Sequence, residues 1–218
     1  MSGEKITFID SIKVRDKNEI KYNIKEKHPG IYRITINSKA WLDFILDNED
    51  VEIETDANYI FDSLKIIKSE SNKIYYEFIK LNKNYKTKSE LLQSILARYP
   101  KEDNYYQITK EKLQQVQEEY LYYVNVTSQV NPNSFVARYV RTSQLPVVET
   151  KIPSEEHLNY LKTQALDNVI FYDDELIYSD AFTNKSIEYL TYYRNPQLPL
   201  ELLEKEFMAA IDTLILRS

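Results

Sequence analysis

The spacing of apolar residues changes once along this chain of 218 residues, close to Ser69. Upstream of Ser69, apolar residues alternate with polar ones, which is typical of a β-strand with one buried face. Downstream, apolar residues recur every three or four positions, as in an amphipathic helix. The sequence therefore predicts an α+β fold, with an N-terminal antiparallel β-sheet or sandwich over residues 1–68 and an all-α helical domain over residues 69–218.

Six short strands are predicted in the N-terminal part, over residues 6–14, 20–24, 31–36, 41–46, 51–55 and 64–67. A type II turn is predicted at His28-Pro29-Gly30, because proline fixes φ near about −65° and glycine accepts the positive φ that follows. The short strands and the turns between them favour antiparallel pairing over a parallel α/β arrangement.

Six helices are predicted after Ser69, the first of which must end by Pro100. Asn131 and Ser154 are expected to cap the third and fourth, Thr183 or Asn184 to begin the fifth, and Pro199 to open the last. In the last helix the inward side chains are predicted to be Leu203, Phe207, Ala210, Ile211 and Leu214.

The junction between the two parts is predicted to be rigid, because residues 62–73 contain neither glycine nor proline. Ser69 is expected to cap the first long helix, with its hydroxyl on the backbone N–H of Ser71 or Asn72. Trp41 or Phe44 is the expected contact from the sheet to the helices.

Composition excludes several kinds of chemistry. The chain has no cysteine and only two histidines and two glycines, so thiol redox chemistry, a Cys/His zinc site and a glycine-rich phosphate loop cannot be built from it. No cofactor is predicted. The net charge of −6 disfavours nucleic acid as a partner. No stretch approaches the roughly 18 apolar residues of a membrane span, so none is predicted.

Two groups of polar residues are candidate sites of chemistry. Asp173, Asp174 and Glu175, with Asp180 nearby, could offer oxygen ligands to calcium, but the alternating ligands and central glycine of a calcium loop are missing. A solvated loop before a helix is the favoured interpretation. His157 has carboxylates beside it and could act as a general base, but no motif places a nucleophile for it.

Tyrosine is the one residue in excess, with 19 copies, and several occur as neighbouring pairs. On a helix, one ring of such a pair turns toward the core and the other turns away. The outward rings would either cover helix seams or form a contact face, since tyrosine adds contact area at little entropic cost. The candidate protein-contact residues are Tyr76, Tyr106, Tyr122 and Tyr192.

Several segments together resemble the N-terminal region of thioredoxin-like thiol:disulfide oxidoreductases of the AhpC/TSA type from Bacteroidetes. The resemblance spans nearly the whole chain. The segments are HPGIYRI at residues 28–34, FILDNE at 44–49, IETD at 53–56, SESNKIYY at 69–76, NPNSFVA at 131–137, FYDDELIYS at 171–179 and IDTL at 211–214.

This resemblance implies a β domain and a helical segment that precede a thioredoxin fold in an exported protein of the periplasm or cell envelope. The thioredoxin fold with its Cys-x-x-Cys pair is expected after residue 218, so no catalytic residue carries over and the chain itself is predicted not to be an enzyme. The expected partners are the thioredoxin-like domain of the parent chain, client proteins or a second copy. The alternatives are a cell-envelope structural or interaction adaptor and, less favoured, a calcium-dependent enzyme using residues 173–180.

Two departures from the family pattern concern the sheet. Glu19 stands where the family commonly has a turn glycine, and the strands that usually precede Phe8 are missing. At least one edge of the sheet is therefore predicted to be unpaired and to invite another chain.

Overall fold

The computed structural model describes residues 1–3, 5–13, 19–24, 28–36 and 40–217. It confirms the α+β class, with strands first and helices after them. The elements, in chain order, are β1 (Gly30–Ile36), β2 (Ala40–Leu46), β3 (Glu52–Glu54), α1 (Ile60–Ser63), β4 (Lys65–Lys68), α2 (Glu70–Leu96), α3 (Asn104–Val130), α4 (Phe135–Thr142), α5 (His157–Gln164), α6 (Ala181–Thr191) and α7 (Leu200–Arg217), with 3₁₀ turns at Ser154–Glu156 and Leu176–Tyr178.

The four strands form two separate two-stranded antiparallel sheets, β1 with β2 and β3 with β4. In the first sheet Gly30 lies opposite Leu46 and Ile36 lies opposite Ala40. The strands predicted over residues 6–14 and 20–24 are wrong for the described residues 6–13 and 20–24, which belong to no strand and are almost entirely exposed. Val14 and the turn at Asp16 to Asn18 lie outside the described residues.

Gly30 has a different role from the predicted one. Its φ is not positive, so the type II turn at residues 28–30 is wrong, and Gly30 is instead the first residue of β1. A Cβ at this position would lie 2.8 Å from the Cβ of Tyr178 and 3.0 Å from its carbonyl oxygen. Glycine is therefore needed here for the close approach of β1 to the second 3₁₀ turn.

The sheet and the helices share one apolar core. Ile31 of β1 and Ile45 of β2 are fully buried in the same cluster as residues from α2, α3 and α4, among them Phe78, Tyr120 and Phe135. Phe44 is buried and its ring lies against Tyr32, whereas Trp41 is exposed with the Arg33 guanidinium over its ring. The predicted contact through Trp41 is wrong, because this residue lies at the outer end of the hairpin.

Polar contacts also join the sheet to α2. The Asn72 side chain accepts from the backbone N–H of Ile45 at 2.8 Å and donates to its carbonyl at 2.7 Å. Ser69 caps α2 as predicted, since its hydroxyl accepts from the N–H of Asn72. Glu49 completes the cap by accepting from Ser69 and from the N–H groups of Glu70 and Ser71.

Three helix starts differ from the predicted ones. Ser134, not Asn131, caps α4 by accepting from the N–H of Ala137, because residues 131–134 form a turn. Ser154 begins a 3₁₀ turn without a side-chain cap. Helix α6 begins at Ala181, two residues before the predicted Thr183.

A second and smaller apolar cluster joins α5, α6 and α7. Its buried members are Ala165, Leu166, Tyr189 and Ala210. Leu214 is half-buried against this cluster, but Ile211 is exposed, so its predicted inward position is wrong. In the described part of the chain, no helix combines the length and apolar character needed to cross a membrane.

Candidate protein-contact surfaces

The four candidate tyrosines occupy different environments. Tyr122 is 72% exposed on α3 and its ring is available to another molecule. Tyr76 is half-buried, and its hydroxyl donates to the carbonyl oxygen of Asp43 in β2. The pair at 105–106 is oriented opposite to the prediction, because Tyr105 is exposed and Tyr106 is half-buried. Tyr192 donates to Glu188 at 2.7 Å.

Several other tyrosines of the helical part are buried and contribute to packing. Burial raises the pKa of Tyr75, Tyr120 and Tyr139, which keeps these phenols neutral inside the core. Tyr120 donates to the Asn82 side chain and accepts from the N–H of Leu145. Packing between helices therefore accounts for part of the tyrosine excess, and the four candidate rings differ too much in burial to form one exposed face.

Three of the four acidic residues at 173–180, namely Asp173, Glu175 and Asp180, bond to other groups of the protein, and Asp174 is exposed. Asp173 accepts from the N–H groups of Glu175 and Leu176 and lies 3.3 Å from the Arg138 guanidinium, which also pairs with Glu175. Asp180 accepts from the Tyr139 hydroxyl and the Asn184 amide. Across the described residues, no three His, Cys, Asp or Glu side chains come together in a way that could hold a metal ion. This arrangement stabilises a loop and does not resemble a calcium site.

His157 is also held by the fold. Its Nε2 lies 2.9 Å from the carbonyl oxygen of Ile152, the residue before Pro153. This hydrogen bond therefore holds the loop at Ile152 against the start of α5. This contact favours a structural role over that of a general base.

Helix α7 exposes several large apolar side chains. Only Ala210 of its 18 residues is buried. Four exposed apolar side chains, which we call the outer stripe, lie on the side next to the buried face; they are Leu200, Met208, Ile211 and Ile215, exposed by 70%, 56%, 38% and 65%. The charged Glu204 interrupts this stripe between Leu200 and Met208, since residues four apart lie on one side of a helix. An apolar stripe of this kind on a surface helix is typical of a contact site.

Charged residues border the outer stripe on one side. A shallow depression of about 560 Å³ runs along α7 between Met208 and the side chains of Glu201, Glu204, Lys205 and Asp212. Three of these four side chains are acidic. A surface that covers the stripe would be favoured if it carried basic groups at the matching edge.

A more enclosed cleft of about 380 Å³ lies where α5, α6 and α7 meet, lined by residues that include Leu158, Tyr192, Arg194 and Leu198. On its wall, the Lys162 ammonium lies 4.2 Å above the Tyr193 ring and 2.6 Å from Glu206. Tyr192 therefore remains a candidate contact residue, although its own hydroxyl is already bonded.

The outer stripe can be recognised in the sequence from the apolar residues of α7 that are not among those predicted to face inward. Leu200, Met208 and Ile215 fall outside the set of inward residues, so α7 carries more apolar side chains than one packed face needs. Periodicity assigns apolar residues to a face, but it does not show how much of a wide face a neighbouring helix covers.

Comparison with known proteins gives no relative. No protein-family model, no curated protein and no solved structure matches this chain. The function proposed below therefore rests on the sequence resemblance and on the contact surfaces described above.

Proposed function

We propose that this chain is the non-catalytic binding and positioning region of an exported, thioredoxin-like thiol:disulfide oxidoreductase of the periplasm or cell envelope. In this proposal α7 contacts the redox domain of the parent chain and holds it against the helical layer. The outer stripe of α7, with its large exposed apolar side chains, is the observation that supports the proposal.

The position of α7 also supports this assignment. The helix runs to Arg217 at the end of the described chain, so a domain joined there would lie close to the stripe. A short linker raises the effective concentration of such a domain to roughly millimolar, so even a small apolar contact would be occupied. Burial of each large apolar side chain would contribute about 1.5–3 kcal/mol at most.

The helical layer provides a fixed base for this contact. Lys162 pairs with Glu206 of α7 at 2.6 Å, and Arg217 of α7 pairs with Asp167 at 3.3 Å. Together with the buried Ala210, these contacts fix the rotation of α7 about its axis, and the outer stripe consequently faces solvent in one defined direction.

The runner-up function is a cell-envelope adaptor, in which the same stripe would bind a separate protein. The two proposals differ in whether the partner belongs to the same polypeptide. The reading frame after Ser218 distinguishes them, because a Cys-x-x-Cys motif after a predicted strand is expected only in the first.

Methyl NMR offers a direct test of the contact, because the chain has two methionines, Met208 in the stripe and Met1 far from it in sequence. Spectra of the methionine-labelled 218-residue chain are compared with those of the full protein read from the gene. We expect the Met208 signal to shift in the full protein and Met1 to report any general change in the fold.

A pair of variants separates a stripe contact from an effect on folding. Leu200→Glu in the full protein should return the Met208 signal to its position in the 218-residue chain. Val130→Glu, at an 80% exposed site on α3, should not. A Met208 signal that is the same in both proteins, or a reading frame without a redox domain, would rule out the proposed contact with the parent chain.

A further inference from the structure

The outer edges of β1 and β2 differ in how many of their outward backbone groups are hydrogen-bonded to the rest of the described chain. Because both backbone polar groups of Ile45 bond to Asn72, the opposing pair Ile31–Ile45 cannot be one of the hydrogen-bonded pairs of the ladder. Bonded and non-bonded pairs alternate, so Arg33–Asp43 and Thr35–Trp41 are also non-bonded pairs. The backbone groups of these residues point away from the partner strand.

On the β2 side, α2 closes the edge. The Asn72 side chain accepts from the Ile45 N–H and donates to the Ile45 carbonyl oxygen, and the Tyr76 hydroxyl donates to the carbonyl oxygen of Asp43. On the β1 side, the N-terminal ammonium of Met1 donates to the Ile31 carbonyl at 2.9 Å. Beyond that point, the outward backbone groups of Arg33 and Thr35 bond to no residue in the described part of the chain.

The described chain also contains an exposed N-terminal segment that belongs to no sheet or helix. The N-terminal arm, defined as residues 5–13 and 19–24, carries Ile6, Phe8, Ile9, Ile12, Ile20 and Tyr22, all about half exposed or more, with Phe8 at 77%. Its two parts touch where the Tyr22 hydroxyl donates to Asp10, but no backbone ladder joins them. This alternating apolar sequence has the composition of a strand and lacks a sheet.

We propose that two copies of this chain dimerise by strand exchange, in which residues 6–12 of each copy add to the outer edge of β1 in the other. The arm begins beside that edge, because Met1 is bonded to Ile31 and the backbone N–H of Gly3 donates to Ser179 at 2.8 Å. Each chain thus has a β1 edge with outward backbone groups and a strand-like arm that lies in no sheet. In the proposed dimer, the arm of each copy pairs with the β1 edge of the other.

Reciprocal strand exchange gives a closed dimer and not an open chain of copies. With a two-fold axis, each copy donates one arm and accepts one, so no arm and no β1 edge is left for a further copy to use in the same contact. Residues 6–12 would span about 23 Å in extended form, more than the four residues of the edge from Arg33 to Ile36 require. Seven arm residues and four edge residues give eleven residues a side, fewer than the roughly 20–30 of a standard interface, so a weak, concentration-dependent dimer is expected.

The test measures the mass of the whole chain by sedimentation over a wide range of concentration. Wild type is expected to convert from monomer to dimer. Thr35→Pro removes the outward N–H but no β1–β2 bond, and Thr35→Ala keeps that N–H. We expect Thr35→Pro to weaken dimerisation by about tenfold or more, because the loss occurs twice in a symmetric dimer, while Thr35→Ala stays close to wild type.

A second pair of variants tests the arm without touching the sheet. Phe8→Asp should weaken the dimer strongly, and Tyr172→Asp, at an 82% exposed site outside the arm, should not. A strictly monomeric wild type at millimolar concentration would overturn the proposal. A dimer that survives both Phe8→Asp and Thr35→Pro would overturn it too, because another surface would then hold the copies together.

Cross-linking identifies which copy pairs with which edge, since the chain has no cysteine of its own. Phe8→Cys and Thr35→Cys chains are mixed and treated with a short bis-maleimide. Strand exchange predicts a linked pair in this mixture and little product when Phe8→Cys is mixed with Tyr172→Cys. A chain that carries both substitutions and cross-links only within its monomer would show that the arm pairs with its own sheet.

Discussion

The central layer of this protein, β1 and β2 with α2, α3 and α4, is packed very differently from the C-terminal layer of α5, α6 and α7. The central cluster contains fourteen buried apolar residues among those described, and the C-terminal cluster contains four. Both layers are built from amphipathic helices of similar character. The difference arises because α2 and α3 are covered by a sheet and by another helix, whereas α7 has a neighbour on one side only.

This contrast shows that the width of the apolar face of a helix and the fraction of that face covered by neighbouring elements are separate properties. In the central layer the faces of neighbouring elements match in width, so the side chains are enclosed. In the C-terminal layer α7 has a wider apolar face than α6 covers, and the surplus forms the outer stripe. The same reasoning applies to the N-terminal arm, whose alternating side chains have no sheet within the described chain.

One buried cation joins the two layers. Lys185 of α6 is almost fully buried, and its ammonium donates to the carbonyl of Gln144 at 2.5 Å and to Glu188 at 3.0 Å. Burial lowers the pKa of Lys185, and the Glu188 carboxylate partly opposes this effect. The residue after Gln144 bonds to the central Tyr120, so this contact connects α6 to the core.

The largest expected effect comes from matched leucine truncations in the two layers. Leu176 is fully buried in the central cluster and Leu214 is half-buried in the C-terminal one. We expect Leu176→Ala to lower the free energy of unfolding by about 3–5 kcal/mol, and Leu214→Ala by about 1–2 kcal/mol, because only the first leaves an enclosed cavity. Urea unfolding of both variants measures the difference. Equal losses would mean that α7 is packed as firmly as the core.

A second prediction concerns alkaline pH and Tyr139. Burial, together with nearby Tyr75 and Asp180, holds the pKa of Tyr139 well above its ordinary value of 10.0. Below pH 10 this tyrosine is neutral in both states. Above pH 10 it ionises in the unfolded chain but not in the folded one, so the unfolded state is favoured by about 1.4 kcal/mol for each further pH unit.

The variant Tyr139→Phe isolates this contribution. At neutral pH it should be less stable by about 1 kcal/mol, because it loses the hydrogen bond to Asp180, which is 3.1 Å long. As the pH rises above 10, the difference between the two proteins should shrink and then reverse. Unfolding free energies measured from pH 7 to pH 11 would show this crossing, and parallel curves would show that Tyr139 titrates alike in both states.

Sequence reasoning predicted the class of fold and most helices because local periodicity determines both. It located the junction at Ser69 for the same reason, since a cap and a change of period coincide there. Contacts between distant residues were missed, such as Asn72 with Ile45 and Glu49 with the start of α2. No local pattern shows that an asparagine side chain will close the edge of a strand 27 residues away.

The candidate site was predicted less well. Of the four tyrosines, Tyr122 alone is strongly exposed, because the direction of each ring depends on how wide a face the neighbouring helices cover. The strands predicted at residues 6–14 and 20–24 failed for a related reason. Alternation describes a strand that has a sheet to lie on, and the described chain offers these residues none.

The smallest effect is expected at Ser69, where the central layer begins. Its φ of 139° is a conformation that favours glycine, while its hydroxyl accepts from the N–H of Asn72 and donates to Glu49. Ser69→Ala removes the cap and keeps the strain, so we expect a loss of about 1 kcal/mol. Ser69→Gly removes both, so its loss should be smaller, because relief of the strained φ offsets part of the lost cap. Thermal melts of the two variants rank them. A glycine variant less stable than the alanine variant would show that the backbone at Ser69 is unstrained and that the hydroxyl alone determines its contribution.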